Sequence, residues 1–427
     1  MLCVSISDVH EWKELRVQPE RHRPGTGFTA LHLVQPVDGG VARVVLDLVA
    51  AQVAAGVRAV VGCPAEGPLA AAAARRGAEV HVWRATRAPG PALPREIADA
   101  ARLVRLVRPD LVHAHSAKAG LAGRLAVRGR VPTVFQPHAW SFEAVGGVTA
   151  RLAGRWERWA VRWTDRIVCV SDAERRTGER AGIEAVWSVV RNGVEVDRFG
   201  DRGDFGGAAG TRRADGRARA DARAALPLLA GRPPVLPDVP DAPVVVCVGR
   251  LCRQKGQDIL LRAWPSVVRR FPGARLVLVG DGPDAGALRA AAPPSVLFAG
   301  AVPDTAPWYR AADLVVLPSR WEGMAVAPLE AMASGRAVVL SDVDGARESL
   351  PPGREALCLA PPEDPAALAA AINTLLDDGP LREAIGRQGH QHVLDTHDVR
   401  QTARAIADVY RAVAAVPRPE RREPIPQ

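Results

Sequence analysis

Two glutamates in the second half of the chain are spaced so that both could face one ligand at the start of a helix. Glu322 precedes a predicted helix, and Glu330 follows eight residues later, about two turns into that helix. At the start of the helix, the free N–H groups of Met324, Ala325 and Val326 favour an anion. Carboxylates beside anion-binding amides match a ligand that carries both hydroxyls and phosphates. We therefore predict a nucleotide-sugar site at this position.

Two basic residues, Arg250 and Lys255, follow a predicted strand at 244–248 in the sequence GRLCRQKG. Ligands of α/β folds bind at the carboxyl ends of strands, where Gly249 also frees the exit of the chain. Two cations there could neutralise a diphosphate that departs during a reaction, and each charge-assisted contact contributes roughly 1.5–3 kcal/mol. A solvated basic loop is the alternative, and the two glutamates in the same predicted domain favour the diphosphate site.

Glycines occupy two further loops that follow predicted strands. Gly39 and Gly40 open the first predicted helix and would let backbone N–H groups approach a phosphate or a sugar, although a tight turn without a ligand explains them equally. Gly282 lies in the run GDGPDAG, which superficially matches the dinucleotide fingerprint. No acidic residue ends a strand about twenty positions later. A nicotinamide oxidoreductase is therefore the weaker interpretation, and we expect Gly282 to border the nucleotide pocket.

Among the histidines, we predict an active-site role for His138. Pro137 and Trp140 flank it and fix a sharp exit of the chain from a strand, at the edge where a cleft is expected. His113 and His115 flank the end of another strand in the sequence VHAHS. We expect both of them to be structural.

Alternating apolar strands and helices would position these groups. The alternation predicts parallel βαβ units in two halves that face a central cleft. The predicted divisions are a flexible N-terminal extension at 1–27, a Rossmann-like domain at 28–199, a flexible linker or insertion at 200–240, a second Rossmann-like domain at 241–395, a C-terminal helix at 396–415 and a disordered tail at 416–427.

Composition excludes several classes of protein. Hydrophobic residues make up 48% of the 427 residues, which indicates a globular chain, yet no run approaches the roughly 18 apolar residues of a membrane span. The first residues lack the apolar core of a signal peptide. Six scattered cysteines form no CxxC pair, which favours a reduced, cytoplasmic protein with neither disulfides nor a metal site.

The net charge of +9 comes almost entirely from arginine and favours anionic partners such as nucleic acid, an anionic membrane or phosphorylated substrates. An arginine-rich coding bias explains the charge equally well. Lys255 is one of only three lysines, and a lysine there indicates a preference for a compact ammonium group. We expect phosphorylated small molecules as partners and no nucleic acid.

A predicted helix at 149–164 carries an unusual apolar face, with arginines on the opposite side. The apolar face consists of Leu152, Trp156, Trp159, Ala160 and Trp163. This pattern suits a helix that lies in a membrane surface. It equally suits a helix that packs on a sheet, and because a strand follows at once we favour packing.

Taken together, these motifs resemble the GT4-type glycosyltransferases, which have the GT-B fold. The residues that carry the resemblance are Glu322-(seven residues)-Glu330, GRLxxQKG at 249–256, the Gly39-Gly40 loop and NGVEVDRF at 192–199. VHAHSAKAGLAGRLA and IVCVSDAERR also look like the first domain of that family. The resemblance covers about 28 to 415, apart from the insertion at 200–240.

The resemblance implies a retaining hexosyltransferase that moves a sugar from a nucleotide-diphosphate donor to a glycan, glycolipid or small-molecule acceptor. Such enzymes usually need no divalent metal, and we expect no cofactor. The second domain would hold the donor. Its diphosphate would lie against Arg250 and Lys255, its ribose hydroxyls against Glu330, and its sugar hydroxyls against Glu322 and the amides of Met324–Val326.

The first domain would bind the acceptor and complete the donor site. The resemblance places Gly40 against the diphosphate and His138 near the sugar, and it implies that the final helix crosses back to the first domain. Two residues depart from the family pattern. Ala325 replaces a glycine and could narrow the sugar pocket, and Arg191 replaces the usual proline of a Pro-Asn-Gly motif.

Two alternatives share this fold: a nucleotide-sugar 2-epimerase and a non-catalytic protein that only binds sugar nucleotides. The intact set of charged residues makes the second one less favoured. We expect a cytoplasmic enzyme, and the basic first half with its Trp/Arg helix favours a lipid-linked or otherwise anionic acceptor and peripheral contact with an anionic membrane.

Overall fold

The computed structural model describes residues 27–199, 219–224, 226 and 242–416. These residues form two α/β halves, each built on one parallel sheet. The predicted extension at 1–27, the linker at 200–240 and the tail at 416–427 lie wholly or largely outside the described residues. Within the linker, residues 219–224 and 226 are helical.

The first half contains a seven-stranded sheet in the order β3-β2-β1-β4-β5-β6-β7. The strands are β1 (Thr29–Val34), β2 (Arg58–Cys63), β3 (Glu79–Val82), β4 (Leu111–His115), β5 (Thr133–Gln136), β6 (Arg166–Cys169) and β7 (Trp187–Val189). The helices are α1 (Gly39–Ala54), α2 (Leu69–Arg75), α3 (Leu93–Val107), α4 (Ser116–Val127), α5 (Gly147–Ala160), α6 (Asp172–Arg180) and α7 (Val196–Phe199). Central strands such as β1 and β4 are buried along their whole length because helices cover both faces of a parallel sheet.

The second half contains a six-stranded sheet in the order β10-β9-β8-β11-β12-β13. The strands are β8 (Val244–Val248), β9 (Arg275–Val279), β10 (Val296–Gly300), β11 (Leu314–Leu317), β12 (Ala337–Ser341) and β13 (Leu359–Ala360). The helices of this half are α8 (Gln257–Arg270), α9 (Ala285–Ala291), α10 (Ala306–Ala311), α11 (Val326–Ala333), α12 (Ala346–Ser349), α13 (Glu355–Cys358), α14 (Pro365–Asp377) and α15 (Gly379–Thr396), and α16 (Val399–Ala414) follows them in the chain. In each sheet the strand order switches direction once, between β1 and β4 in the first half and between β8 and β11 in the second. The α/β folds bind ligands beside such a switch point.

Helix α16 belongs to the core of the first half. Ile406, Tyr410 and Val413 pack with Ala30 and Leu111 of the first sheet in one buried cluster. The Tyr410 hydroxyl also forms a hydrogen bond of 2.8 Å with the Nδ1 atom of His113. The predicted return of the final helix to the first domain is therefore confirmed, and the two halves share a covalent and a packed connection.

Helix α5 packs on the protein through only part of its predicted apolar face: Ala160 is buried and Trp156 is half-buried, so the favoured prediction is correct in part. Leu152 is 61% exposed and Trp159 is 41% exposed, whereas Gly154 and Glu157 face the protein. The burial of Glu157 is possible because Arg124 donates to its carboxylate at 2.7 Å. The packed side of α5 therefore combines this ion pair with Gly154 and Ala160, while Leu152 and Trp159 stay exposed.

No helix within the described part of the chain combines the length and the apolar character that crossing a membrane requires. The five cysteines that the structure describes are unpaired, and four of them are buried. Burial raises the pKa of the Cys63 thiol to about 11, so this thiol stays protonated and unreactive at neutral pH.

Candidate active site

The loop between β8 and α8 brings Lys255 into contact with Glu322. Gly256 ends this loop with a φ of +65°, and a Cβ there would lie 2.0 Å from the carbonyl oxygen of Pro318. The loop can therefore pack against the end of β11 only with a glycine at this position. Lys255 Nζ donates to Glu322 Oε1 at 2.5 Å, and Ser319 Oγ donates to the same oxygen at 2.8 Å.

Arg250 supplies a second positive charge in the same loop. It is half-buried, and no carboxylate among the described residues pairs with its guanidinium. Desolvation and the nearby charge of Arg250 lower the pKa of Arg87, while Asp38 acts in the opposite direction. Arg87 follows β3 in the first half, so two like charges from opposite halves lie near each other. An anion between them would be stabilised by both.

Gly40 lies where the start of α1 meets the start of α11. A Cβ on Gly40 would lie 3.5 Å from Val326 Cγ2, and Gly39 has a φ of +70°. Asp38 precedes α1 but makes no side-chain hydrogen bond to its first N–H groups. The position agrees with a glycine loop at the border of the two halves, and a contact with diphosphate stays a prediction.

Glu330 lies in the second turn of α11 and is half-buried. Its Oε2 atom accepts hydrogen bonds from the Tyr309 hydroxyl at 2.8 Å and from Thr305 Oγ1 at 3.4 Å. Burial raises the pKa of Glu330, whereas the Tyr309 hydrogen bond and the charges of Arg43 and Arg198 lower it. Arg43 comes from α1 in the first half. Glu330 therefore also lies at the border between the halves.

The backbone between Glu322 and α11 carries the amides that were predicted to bind an anion. Helix α11 begins at Val326, Ala325 is the extended residue that precedes it, and Met324 is buried. Asn192 Nδ2 donates to the carbonyl oxygen of Met324 at 2.8 Å, which ties this segment to the first half. The anion-binding role of the three amides stays a prediction.

Two further predicted glycines have packing reasons for their identity. A Cβ on Gly249 would lie 3.6 Å from Cγ of Lys255, so this glycine lies along the lysine side chain. A Cβ on Gly282 would lie 2.3 Å from the carbonyl oxygen of Leu251. The β8 loop and the β9 loop therefore touch through backbone, and a nucleotide contact at either glycine stays a prediction.

His138 follows β5 in a backbone conformation that non-glycine residues rarely adopt. The φ angles are +55° at His138 and +107° at Ala139. A Cβ on Gly323 would lie 3.0 Å from the amide nitrogen of Ala139, which places this loop against the loop of Glu322. Burial lowers the pKa of His138 to about 3, so its ring is neutral at neutral pH. Its contact with a sugar stays a prediction.

Three more histidines lie behind His138, on one face of the first sheet. The register of β1 and β4 places His32 opposite His113, and both are fully buried with His115. One ring nitrogen from each of the three lies within 4.8 Å of the others, a spacing that a metal ion could use. His32 Nδ1 lies 3.0 Å from His115 Nε2, however, and His115 Nδ1 lies 3.2 Å from His138 Nε2. These hydrogen bonds already engage the rings, and we assign them a supporting role behind His138.

Acidic residues after β12 join the two halves, and sequence reasoning missed them. Both carboxylate oxygens of Glu348 accept hydrogen bonds from the start of α6, from Asp172 N at 2.9 Å and Ala173 N at 2.8 Å. Asp344 accepts a hydrogen bond of 2.6 Å from Thr177 Oγ1. A carboxylate at a helix start is stabilised by the free N–H groups and the helix dipole. The halves are therefore held together beside the candidate site.

Comparison with known families matches both halves of the chain. The model "Glycosyl transferases group 1" matches residues 242–378, and the model "Glycosyltransferase Family 4" matches residues 38–198. The first match contains Lys255, Glu322 in the loop before α11, and Glu330 within α11. The second contains the Gly39-Gly40 loop and His138.

Named relatives agree with these matches. The lipopolysaccharide core biosynthesis mannosyltransferase of Rhizobium leguminosarum bv. viciae is 31% identical over 60% of this chain and 67% of its own length. The D-inositol 3-phosphate glycosyltransferase 2 of Catenulispora acidiphila is 31% identical over 70% of each chain. The glycogen synthase of Mycobacterium tuberculosis is 30% identical over 74% of this chain and 72% of its own length.

The fold matches solved structures as well. The crystal structure of the Anabaena protein Alr3699/HepE in complex with UDP and glucose aligns with a TM-score of 0.71 over 89% of this chain and 98% of that chain. The two sequences are 22% identical, so this likeness concerns the fold alone. The predicted architecture of two Rossmann-like halves around a cleft is confirmed.

Proposed function

The chain belongs to the group 1, family 4 glycosyltransferases, and from this membership we propose that it transfers a hexose from a nucleotide-diphosphate sugar to an acceptor with retention of the anomeric configuration. The observation that carries the proposal is the contact between Lys255 and Glu322 at the carboxyl end of β8, beside Arg250. A cation pair and a carboxylate at this edge suit a ligand with a diphosphate on one side and hydroxyls on the other.

In this proposal the bound donor replaces the contact between Lys255 and Glu322 with one contact to each residue. The diphosphate takes the ammonium group of Lys255 together with Arg250, and the sugar hydroxyls take the carboxylate of Glu322. As the bond between sugar and phosphate breaks, negative charge grows on the leaving phosphate, and fixed cations stabilise that charge more in the transition state than in the ground state. The leaving phosphate also lies on the acceptor side, where it can take the acceptor proton.

The reaction needs no divalent metal in this proposal. Arg250 and Lys255 supply two positive charges where a metal ion would otherwise neutralise the diphosphate, and Arg87 adds a third from the first half. The acceptor would bind to the first half, opposite His138. Relatives named for lipopolysaccharide core synthesis and for D-inositol 3-phosphate support a sugar-linked, lipid-linked or phosphorylated acceptor.

A thermal-shift screen of UDP-, GDP- and ADP-sugars tests the proposal before any acceptor is known. We expect one nucleotide series to raise the melting temperature, because a ligand at 100 times its Kd stabilises the folded state by about 2.7 kcal/mol. NMR of the products should then show transfer with the donor's anomeric configuration retained.

Other results would contradict this function. The absence of any shift across the three series would oppose a nucleotide-sugar site. A donor that is inverted at C2 without transfer would identify a 2-epimerase, and binding without turnover of any acceptor would identify a non-catalytic binder.

We also propose that α5 docks the enzyme on the cytoplasmic face of an anionic membrane. Val148 and Leu152 are more than 60% exposed, and Trp159 is 41% exposed. Arg151 and Arg155 are exposed on the same helix. Apolar side chains beside arginines suit the boundary between acyl chains and anionic headgroups. A membrane position would bring the first half close to a lipid-linked acceptor.

Replacing Leu152 and Trp159 together by serine should weaken membrane binding at least tenfold. Each side chain loses up to about 1.5–3 kcal/mol of favourable burial when it is made polar. Co-sedimentation with vesicles that contain phosphatidylglycerol measures the effect, and Leu394→Ser, an exposed leucine of the second half, is the matched control. Equal binding of the double variant and the wild type would remove α5 from the membrane surface.

A further inference from the structure

The start of α6 lies between two loops of the proposed sugar pocket. One is the loop after β5 that carries His138 and Ala139, and the other is the loop that carries Glu322 and Gly323. The segment between them, Val170 to Glu174, belongs to the sequence IVCVSDAERR, for which no catalytic role has been assigned above. Ser171 and Glu174 are both fully buried there.

Glu174 holds the loop of His138. Its Oε1 atom accepts a hydrogen bond of 2.6 Å from the amide of Ala139, and its Oε2 atom accepts one of 2.7 Å from the amide of Val170. Its backbone carbonyl also accepts a hydrogen bond of 2.7 Å from the indole of Trp140. One residue therefore binds the loop at two successive positions.

Ser171 holds the opposite loop. Its hydroxyl donates to the carbonyl oxygen of Gly323 at 2.8 Å and accepts the amide N–H of Glu174 at 3.0 Å. The loops are in close contact, because a Cβ on Gly323 would lie 2.7 Å from Glu174 Oε1 and 3.0 Å from the amide of Ala139. Glu174 therefore contacts both loops that line the pocket.

The loop of His138 needs this support. Two successive non-glycine residues, His138 and Ala139, have positive φ angles of +55° and +107°. Such a conformation is unfavourable by itself and persists only where surrounding contacts impose it. The hydrogen bond from Ala139 to a buried carboxylate is such a contact, since charge-assisted hydrogen bonds are about twice as strong as neutral ones.

We infer that Glu174 is a positioning residue for sugar transfer, whose ionised carboxylate fixes the His138–Ala139 loop against Gly323 and whose protonation releases that loop. This inference rests on the proposed function, because it assigns the two loops to the sugar pocket. The ionised form accepts the two amide N–H groups with two equivalent, charged oxygens, which makes both hydrogen bonds charge-assisted. The protonated form turns one of these oxygens into an uncharged hydroxyl, which accepts an amide N–H more weakly.

The surroundings of Glu174 make this change accessible near neutral pH. Burial raises its pKa to about 7, the amides of Val170 and Ala139 lower it, and the charges of Glu143 and Asp344 raise it. Of the other groups packed around it, the pKa of Cys169 is raised and that of His138 is lowered to about 3, so both stay neutral. Activity should therefore fall as the pH drops through about 7.

Glu174→Gln tests the inference, because glutamine keeps the size of the side chain but places an NH2 group against one amide N–H. With the nucleotide sugar that gives the largest thermal shift, we expect kcat to fall about tenfold or more at pH 8. KM for the donor should change little, since Arg250, Lys255 and Glu330 are untouched. The acid limb of the wild-type profile, in which kcat falls as the pH drops through about 7, should disappear in the variant.

Glu143→Gln is the matched control. Burial and the charge of Asp344 raise the pKa of Glu143 to about 7 as well, so its titration could produce the same limb. The control should keep the limb and shift it to lower pH, because one negative charge near Glu174 is gone. Loss of the limb in Glu143→Gln and its persistence in Glu174→Gln would overturn the inference.

Hydrogen exchange provides a readout that does not need turnover. The amides of residues 138–140 should exchange faster in Glu174→Gln than in the wild type, and in the wild type faster at pH 6 than at pH 8 after correction for intrinsic rates. If the wild type neither binds nor turns over any nucleotide sugar, the proposed function fails, while this exchange experiment still decides whether Glu174 holds the loop. Unchanged exchange in the variant would remove that role.

Discussion

We expect Lys255→Ala to lower turnover at least a hundredfold and to leave the fold intact. A hundredfold loss corresponds to about 2.7 kcal/mol of transition-state stabilisation, which is within reach of one charge-assisted contact to a phosphate that gains charge. The ammonium group lies 2.5 Å from Oε1 of Glu322, so its position is fixed by the protein. Steady-state kinetics with the donor found by the thermal-shift screen measure the loss.

Controls separate the charge of Lys255 from its contact with Glu322. Arg253→Ala removes a cation from the same loop, but Arg253 lies over the ring of Trp321, and its substitution should change turnover less than threefold. The double variant Lys255→Ala/Glu322→Gln removes the unpaired carboxylate that the single variant leaves. It should recover thermal stability without recovering turnover. Turnover near the wild-type rate in Lys255→Ala would refute the assigned role.

Glu330→Ala should also lower turnover at least a hundredfold at donor concentrations below KM, because the nucleoside binds more weakly. A carboxylate that accepts both ribose hydroxyls loses two charge-assisted hydrogen bonds when it is truncated, each worth roughly 1.5–3 kcal/mol. Calorimetry with two ligands identifies the cause. The affinity for the nucleoside diphosphate should fall, whereas that for inorganic pyrophosphate, which has no ribose, should stay unchanged.

A graded variant strengthens this test. Tyr309→Phe removes the hydroxyl that donates to Glu330 at 2.8 Å but keeps the carboxylate and the ring. Tyr309→Phe should lower the affinity for the nucleoside diphosphate about tenfold or less, because a single hydrogen bond contributes about 0.5–1.5 kcal/mol. In Lys255→Ala, by contrast, the affinities for nucleoside diphosphate and for pyrophosphate should both fall, because both ligands carry the diphosphate. Equal losses for both ligands in Glu330→Ala would place this residue at the diphosphate and not at the ribose.

The strands and most helices could be predicted from local sequence because their apolar patterns are strong. The strand at 244–248 occurs at the predicted residues. Helix α4 begins at Ser116 and continues through Gly120. Gly120 has a poor helix propensity, but a Cβ there would lie 2.3 Å from Phe135, so close packing on the sheet requires this glycine within the helix.

For the candidate site, residue types revealed more than periodicity. Lys255 and Glu322 could be singled out because a rare lysine and a glutamate pair stood in glycine-bounded loops after strands. Their contact joins residues 67 positions apart. Arg87 and Glu174 could not be found in this way, since neither differs locally from the many exposed charges of the chain. Their neighbours across the halves give them their properties.

By itself, the sequence determined the two α/β halves, the loops at the strand ends and the charges that those loops carry, because these depend on local patterns of apolar residues and glycines. Tertiary structure alone decided which groups meet. The register of β1 and β4 stacks the buried histidines, and the packing of the halves sets Ser171 against Gly323, 152 positions away. The shifts in pKa also depend on the tertiary structure, because burial and neighbouring charge exist only once the chain has folded.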